Sequence, residues 1–402
     1  MSDAADHYEA ATRKAPRLLF HYSILNRGGA EKSLLRLMHG LRDRGCEIHL
    51  VLTSPGGALE SDLGPRIHVH HLRKISALGA KSKGWLAHPL ALPVRAARWL
   101  VARMQEIPGR RRLSDMSFDA AFVGSAGLSP EFICNVVKAR RRFVFVRNDP
   151  QSADHGGRWT ANIRRFHARI DAYVCVSKYV RDALAASFPE IADKAVCIYN
   201  LLDAQTMRDK AVGQPNPFHG DEGVVRVLTV CRLQEVSKGL LRMVEVHRRL
   251  LDAGLHHVWH VLGDGPDRAL LERAIVKHDV SATFRLHGSV ANPFPYYRHA
   301  DICAVLSRYE GLCGVVNEAR VMERPVIATR FSGIEEQLES GVNGLIVEQD
   351  EDAICEGMAV LIRDAALRER LARGGYPPDL LDDRAKLDSI ERLILAGSPS
   401  GK

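Results

Sequence analysis

The sequence lacks the segments that direct a chain into or across a membrane. Its first residues, MSDAADHYEAATRKAPR, carry acids and no apolar run of the roughly 7–15 residues that a signal peptide needs. No later segment reaches the ~18 uninterrupted apolar residues of a membrane span. These two absences predict a cytoplasmic protein.

Paired cysteines are also lacking. The eight cysteines are scattered along the chain, and none belongs to a CxxC pair. Most lie in apolar, strand-like runs such as AYVCVS and DICAVL. The pattern predicts buried, reduced thiols and argues against both disulfides and a zinc site.

Several common catalytic motifs are missing. The sequence has no GxSxG, no GKS/T phosphate loop and no GxGxxG after its first strand-like run, so hydrolase, kinase and nicotinamide chemistry lack their residues. The acidic triplet at 350–352 formally matches a DxD metal motif. It stands at a predicted helix start, where acids favour the helix dipole. We therefore expect no metal and no other cofactor.

The positive charge is concentrated in the first half of the chain. The formal net charge is +8, but residues 1–200 hold 31 Lys and Arg against 18 Asp and Glu, while residues 201–402 hold 25 against 30. No helix-turn-helix, zinc-finger or RNP-type motif accompanies the basic half. The sequence therefore predicts no nucleic-acid partner.

Strand-like and helix-like runs alternate along the chain, which predicts an α/β protein with parallel sheets covered on both faces. At 402 residues the chain is long enough for two domains. We expect two doubly wound, Rossmann-like domains at 1–202 and 223–385, a polar linker at 203–222, and a tail at 386–402 that packs back on the first domain. Ligands of such sheets bind beyond the carboxyl ends of the strands, so the cleft between the domains is the predicted site.

The strongest motif is SRYEGLCGVVNEA at 307–319, between a strand-like run and a predicted helix. Glu310 ends the strand and Glu318 lies one turn into the helix, so both carboxylates can face one ligand. The loop amides and the positive helix N-terminus suit an anion or polar hydroxyls. A solvated loop glutamate and a surface helix glutamate would give the same pattern.

This motif resembles the E-x7-E signature of family 4 retaining glycosyltransferases, which have the GT-B fold. The surrounding segments GDGPDRALLE, FRLHGSV, RHADICAVLSRYEG and RPVIATRFSGIEEQLESGVNGLIV are similar to that family in the same order, over 224–350. The resemblance implies sugar transfer from a nucleotide sugar, a UDP-sugar being favoured, with retention of configuration and without a metal.

The resemblance also implies roles for individual residues. Glu310 would contact hydroxyls of the donor sugar, and Glu318 the ribose of the nucleotide. Arg232 and Lys238, in CRLQEVSKG, would grip the donor diphosphate, although their spacing is one residue longer than the commonest form of the family. Further donor contacts are expected from the GGAE loop, the loop between the two glutamates and the FRLHGSV segment: Gly28, Gly29, His287, Val290, Gly311, Leu312, Cys313 and Gly314.

The first half departs from the family at one place. Many relatives carry a histidine there that touches the donor sugar, whereas this chain has FVGSAG and FVFVRNDP. Arg147 stands nearest to the histidine position, and we expect Arg147 and Asp149 to line the acceptor side of the cleft.

A basic stretch at 66–112 contains eleven Lys or Arg and one acid, Glu106. Within it, 88–105 combines Trp99 and several aliphatic residues with Arg95, Arg98 and Arg103, the composition of an interfacial helix. The alternative is a solvated helix that covers the sheet. Because acceptors of such enzymes are often lipid-linked, we expect peripheral contact with the inner, anionic face of a membrane, and an acceptor that is a glycan or a lipid-linked glycan.

Two other functions stay open at this level. A GT-B-like nucleotide-sugar epimerase would need acid and base residues for a proton at carbon 2 and no acceptor surface. A non-catalytic nucleotide-sugar-binding protein would need only the fold. The set of Glu310, Glu318 and Arg232 argues against the second alternative, and the basic stretch against the first.

Overall fold

The computed structural model of the chain describes residues 15–26, 28–74, 92–124, 128–150 and 157–396, and only the backbone of 92–99. Its first half holds a seven-stranded parallel sheet in the order β3-β2-β1-β4-β5-β6-β7. The strands are β1 (Arg17–Tyr22), β2 (Glu47–Leu52), β3 (Ile67–His71), β4 (Ser117–Val123), β5 (Lys138–Val146), β6 (Ala172–Cys175) and β7 (Ala195–Cys197).

The second half holds a six-stranded parallel sheet in the order β10-β9-β8-β11-β12-β13. Strands β9, β11 and β12 are fully buried and mostly apolar, as is usual for parallel strands covered on both faces, and their polar members are His257, His260 and Thr329. The strands are β8 (Val225–Val230), β9 (His257–Leu262), β10 (Phe284–Gly288), β11 (Ile302–Val305), β12 (Val326–Thr329) and β13 (Leu345–Val347). The two parallel sheets confirm the predicted α/β fold.

Helices cover both faces of each sheet. In the first half they are α1 (Gly29–Asp43), α2 (Leu92–Ser114), α3 (Glu131–Asn135), α4 (Arg158–Phe166), α5 (Lys178–Ser187) and α6 (Ala204–Asp209). In the second half they are α7 (Glu235–Lys238), α8 (Leu240–Asp252), α9 (Arg268–Lys277), α10 (Phe294–His299), α11 (Gly314–Val321), α12 (Glu351–Arg363), α13 (Ala365–Arg373), α14 (Pro378–Leu381) and α15 (Asp383–Leu395). Short 3-10 turns lie at Glu60–Leu63, His167–Arg169, Pro189–Lys194 and Ile334–Glu336.

Side-chain caps explain where several of these helices begin. The hydroxyl of Ser177 accepts a hydrogen bond from the first turn of α5, and Asp382 does the same for α15. Asp350 caps α12 through the backbone N–H of Ala353, so the acidic triplet at 350–352 does stand at a helix start.

The last helix crosses to the first sheet. Leu387, Ile390 and Ile394 of α15 are buried in the same core as β1 and α1, and Arg44 pairs with Asp388 at 2.5 Å. The segment at 203–222 is packed as well, since it contributes Met207, Ala211 and Phe218 to a core of the second half. The predicted domain boundaries remain a prediction.

The structure also bears on the prediction of reduced cysteines and on the lack of membrane-spanning segments. All eight cysteines are unpaired, and those at 46, 134, 175, 303 and 313 are buried. Among the helices of the described ranges, none combines the length and the apolar character needed to span a bilayer.

Candidate active site

Lys238, Ser307 and Glu310 meet where two strands of the second sheet end. Lys238 closes α7, which follows β8, and the other two residues follow β11. The Glu310 carboxylate accepts hydrogen bonds from the Lys238 ammonium and, at 2.7 Å, from the Ser307 hydroxyl. The predicted cation and the predicted sugar-binding carboxylate are therefore in direct contact.

The ion pair holds Lys238 in its charged form. Burial alone would lower the pKa of Lys238, but the Glu310 carboxylate outweighs it, and the pKa lies well above its ordinary value. Behind the pair lies a cavity of about 10 Å³, lined also by Thr229, Met243 and Val315. A cavity of that size holds about one water molecule.

Glu318 lies in α11 and accepts a hydrogen bond from the hydroxyl of Tyr297, 2.9 Å away. Tyr297 is fully buried, and burial together with the Glu318 charge raises its pKa well above the ordinary value. Glu318 is only half-buried, so part of its side chain is accessible. Tyr297 is a positioning residue that the sequence motif did not indicate.

In the loop between Glu310 and Glu318, some backbone groups already form hydrogen bonds within the protein. The backbone N–H of Cys313 donates to the side-chain oxygen of Gln337, and its carbonyl accepts from the same amide group, both at 2.9 Å. The amide of Cys313 therefore already has a partner. Leu312 is half-buried and Gly314 is exposed, with no atom within 4 Å of the position that a Cβ of Gly314 would take. The backbone N–H groups that we expect to contact a donor are therefore those of Leu312 and Gly314.

The first sheet contributes the N-terminus of α1. Gly28 is the N-cap residue of this helix, and among the described residues outside the helix no atom lies within 4 Å of the position that a Cβ of Gly29 would take. Glu31 lies in the first turn, and burial raises the pKa of Glu31. A backbone hydrogen bond and the charges of Arg147 and Arg232 oppose this rise. Arg232 is exposed, and its guanidinium donates no hydrogen bond among the described residues.

Arg147 directly follows β5 and is half-buried. Its guanidinium donates to the carbonyl of Gly124 at 2.8 Å, to Asn200 at 3.0 Å and to Ser33 at 3.3 Å. Burial lowers the pKa of Arg147, although Tyr22 and Glu31 oppose the shift. The side chain thus links the ends of several elements, and its expected place on the acceptor side remains a prediction. Asp149 is buried at the same edge of the sheet.

The loop that carries Glu310 also joins the two halves. The Ser177 hydroxyl donates to the carbonyl of Gly311 at 3.0 Å, and a Cβ on Gly311 would lie 2.0 Å from the carbonyl oxygen of Arg147. Nearby, the Glu336 carboxylate of the second half accepts from two backbone N–H groups at the start of α5 and from the Tyr199 hydroxyl, at 2.7–2.8 Å. An acid at a helix N-terminus is stabilising.

His287 lies in β10 near its carboxyl end, and Val290 follows the strand. His287 shares a hydrogen bond of 2.9 Å with His260, and burial lowers its pKa, which favours the neutral ring. Arg285 pairs with Asp221 at 2.9 Å. Val290 is half-buried against the core. The roles expected of His287 and Val290 remain predictions.

Part of the basic stretch falls outside the described residues: residues 75–91, and the side chains of 92–99 with Arg95, Arg98 and Trp99. In the described part of α2, Arg103 lies at 3.4 Å from Glu106 and 3.5 Å from Glu131. The same helix exposes four apolar side chains at 42–60%, namely Leu100, Val101, Met104 and Ile107.

Two known protein families match most of the chain. Residues 225–364 match the family described as Glycosyl transferases group 1, and residues 27–206 match Glycosyltransferase Family 4. The two matches take in the second sheet, the first sheet without β1, and the loops that carry Gly28, Arg232 and Glu310.

Curated relatives align over shorter stretches. The lipopolysaccharide core biosynthesis glycosyltransferase LpsE of Rhizobium meliloti is 29% identical over 151 residues, which are 37% of this chain and 43% of LpsE. The capsular polysaccharide biosynthesis glycosyltransferase CapM of Staphylococcus aureus is 34% identical over 87 residues, 21% of this chain and 23% of CapM. The alignments thus span less than half of each relative.

Solved structures align over nearly the whole chain. Anabaena Alr3699/HepE, crystallised with UDP, superposes with a TM-score of 0.70 at 17% identity and covers 94% of this chain and 98% of its own. A variant of S. aureus TarM, also solved with UDP, gives 0.73 at 12% identity, over 95% and 100%. At these identities the likeness concerns the fold. Together with the two family matches, it places the chain among the GT-B glycosyltransferases of the group 1 and family 4 type.

Proposed function

We propose that this protein transfers a sugar from a nucleotide-sugar donor to a glycan or lipid-linked acceptor during the assembly of a cell-surface polysaccharide or glycolipid. The observation that carries the proposal is the ion pair of Lys238 with Glu310, which precedes the N-terminus of α11, together with the exposed guanidinium of Arg232, which donates no hydrogen bond to the described residues. Arg232 and Lys238 both follow β8, and α1 begins at Gly29 after β1. Cations and helix N-termini suit the diphosphate of a nucleotide sugar.

The proposed chemistry is electrostatic. As the bond between the sugar and the diphosphate breaks, negative charge grows on the leaving diphosphate, and Arg232 and Lys238 neutralise it. Glu310 accepts hydrogen bonds from hydroxyls of the sugar, and its contact with Lys238 places the sugar beside the diphosphate. Because these residues supply the positive charge, we propose that transfer needs no divalent metal.

A UDP-sugar is the favoured donor, and retention of the anomeric configuration is the favoured outcome. Both HepE and the TarM variant were solved with UDP, and this chain shares their fold. Glu318 is placed to accept hydrogen bonds from the ribose while Tyr297 fixes its orientation. Comparing the anomeric proton couplings of donor and product by NMR tests retention.

The acceptor is proposed to reach the cleft from a membrane surface. Leu100, Val101, Met104 and Ile107 form an exposed apolar strip on α2, and the helix ends in Arg110, Arg111 and Arg112. An apolar strip beside cations suits the interface of an anionic bilayer.

Thermal-shift measurements with UDP-, GDP-, ADP- and dTDP-sugars, with and without magnesium, test the donor part of the proposal. We expect one nucleotide class to raise Tm, by the same amount with and without magnesium. Incubating that donor with membrane lipid extract should then give a glycosylated product. Conversion to a 2-epimer without an acceptor would indicate an epimerase, and binding without turnover on any acceptor would indicate a non-catalytic protein.

A further inference from the structure

A histidine cluster lies at the edge of the first sheet, away from the proposed active site. Strands β2 and β3 are parallel neighbours, and their register pairs His49 with His68. Glu47, His49, His68 and His70 fall at alternate positions of these strands, so their side chains share one face of the sheet. His71, by the same alternation, points to the opposite face, where it contacts Glu60 at 2.9 Å.

The contacts within the cluster are close. His49 is buried, and its Nε2 lies 2.7 Å from Oε1 of Glu47, while its Nδ1 lies 3.0 Å from Nε2 of His70. The His68 ring stacks on His49 with centroids 4.7 Å apart. One ligand atom from each of Glu47, His49 and His68 can be chosen so that all three lie within 4.8 Å of one another.

We propose that Glu47, His49 and His68 form a binding site for a divalent transition-metal ion, with Zn²⁺ as the best-fitting ion. Two imidazoles and a carboxylate are a donor set that zinc accepts, with water as a fourth ligand. The site was not indicated by the sequence analysis, because its ligands come from two strands that are adjacent only in the folded sheet.

The free atoms of the cluster allow this coordination. Arg17 donates to Oε1 of Glu47 at 3.1 Å, and Oε2 accepts no hydrogen bond from the described residues. His68 is exposed, and its ring nitrogens form no hydrogen bond in the described structure. Tetrahedral zinc with bonds near 2.1 Å needs ligand atoms about 3.4 Å apart, so His68 must turn inward. Its exposure leaves room for that movement.

His70 would support the metal ligand His49 through a hydrogen bond, without binding the metal itself. A carboxylate only accepts hydrogen bonds, so His49 carries its proton on Nε2 while it contacts Glu47. Metal binding at Nε2 would require the other tautomer of His49, with its proton on Nδ1 and donated to Nε2 of His70, whose own ring proton then lies on Nδ1. Such a hydrogen bond from the second ring nitrogen is usual for metal-ligating histidines.

A metal ion at this site would stabilise the first sheet and would take no part in sugar transfer. Glu47 begins β2, whereas Gly28 and Gly29 follow the carboxyl end of β1, so the cluster lies toward the amino ends of the strands. The order of the sheet makes β3 the edge strand, and a bound ion would tie it to β2. An ion bound only by the folded chain stabilises it.

The experiment uses the full chain without an affinity tag, freed of metal by chelator and dialysis, and a zinc titration against a chromophoric competitor. We expect one Zn²⁺ per chain and a rise in Tm on binding. Glu47→Gln and His68→Ala should each weaken zinc binding by at least tenfold. His71→Ala, on the same strand but the opposite face, is the matched control and should bind as the parent does.

Circular dichroism and Tm in chelator show whether each variant is folded. His68 is exposed, so its replacement by alanine should leave the metal-free chain intact. The proposal is wrong if the parent chain binds no stoichiometric zinc. It is equally overturned if His68→Ala binds zinc as tightly as the parent, or if His71→Ala loses as much affinity as His68→Ala.

Discussion

The hydroxyl of Ser177, at the start of α5, donates a hydrogen bond of 3.0 Å to the carbonyl of Gly311, in the loop that carries Glu310. This contact joins the first sheet directly to the proposed donor-binding loop. Glu336 reinforces it by accepting from the backbone of Lys178 and Tyr179. The position of the donor loop therefore depends on how the two halves meet.

Two glycines in that loop should respond differently to alanine. A Cβ on Gly311 would lie 2.0 Å from the carbonyl oxygen of Arg147, so Gly311→Ala should force the halves apart. We expect Gly311→Ala to lower turnover strongly and to reduce the free energy of unfolding by about 1–3 kcal/mol. Gly314→Ala meets no protein atom within 4 Å, so its stability should stay within about 0.5 kcal/mol of the parent.

Urea unfolding and calorimetric titration with the donor separate the two effects. Gly314→Ala should weaken donor binding while it leaves stability unchanged, because its methyl group occupies space that we assign to the ligand. Unchanged donor affinity in this variant would show that the N-terminus of α11 does not contact the donor.

Replacing Glu318 should weaken nucleotide binding. Glu318→Gln is a sharper variant than Glu318→Ala, because glutamine can still accept the hydrogen bond of the buried Tyr297 hydroxyl. Loss of a charge-assisted hydrogen bond costs roughly 1.5–3 kcal/mol, so we expect donor affinity to fall tenfold or more with little change in stability. Calorimetric titration with the nucleotide checks this, and parental affinity in Glu318→Gln would contradict the assignment.

Turnover should survive EDTA and should depend on Arg232. The guanidinium of Arg232 is exposed and donates no hydrogen bond within the described structure, so Arg232→Ala should fold normally. We expect turnover to fall about 10²-fold, the scale for one preorganised electrostatic donor. Arg373→Ala removes an arginine that is 82% exposed in α13 and serves as the control. Loss of activity in EDTA with recovery in manganese would refute metal independence.

Stability should fall on acidification because of His21. Burial, and to a smaller extent Arg110, lowers the pKa of His21 from 6.5 to about 3. The unfolded chain then binds a proton that the folded chain does not, so stability is present above pH 6.5 and is lost as pH falls toward 3. His21→Gln should reduce the loss of unfolding free energy between pH 7 and pH 5 by about 2 kcal/mol. Urea unfolding at both pH values measures this, and equal losses in both proteins would contradict it.

The apolar strip of α2 should bind vesicles that contain phosphatidylglycerol. Replacing Leu100 and Met104, which are 54% and 60% exposed, by serine should reduce sedimentation with vesicles. Changing Arg95, Arg98 and Arg103 to Glu should do the same, and binding by the parent should weaken with salt, since screening acts over ~8 Å at physiological ionic strength. Val276→Ser is the matched control, because Val276 is 72% exposed in α9 of the second half. If the Leu100 and Met104 variant sediments like the parent, α2 is an ordinary solvated helix.

The sequence determined the local features of this protein. Continuous apolar runs predicted the parallel sheets, because both faces of such a strand are covered by helices and its side chains are buried on either side. The E-x7-E spacing predicted Glu318 in the helix, as the structure shows, whereas Glu310 lies in the loop, five residues beyond the end of β11 at Val305. Spacing within one strand-loop-helix unit is set largely by local geometry, so the order of these elements could be predicted. Asp350 was recognised as a helix start for the same reason.

Only the tertiary structure decided which distant residues are partners. Three such pairs are Ser177 with Gly311, Gln337 with Cys313, and His49 with His68. The number of residues between the members of each pair does not predict that they meet. The partners of Arg147, which are Gly124, Ser33 and Asn200, also come from distant parts of the chain, because a partly buried guanidinium must find acceptors wherever the fold brings them. Its expected place on the acceptor side of the cleft remains a prediction.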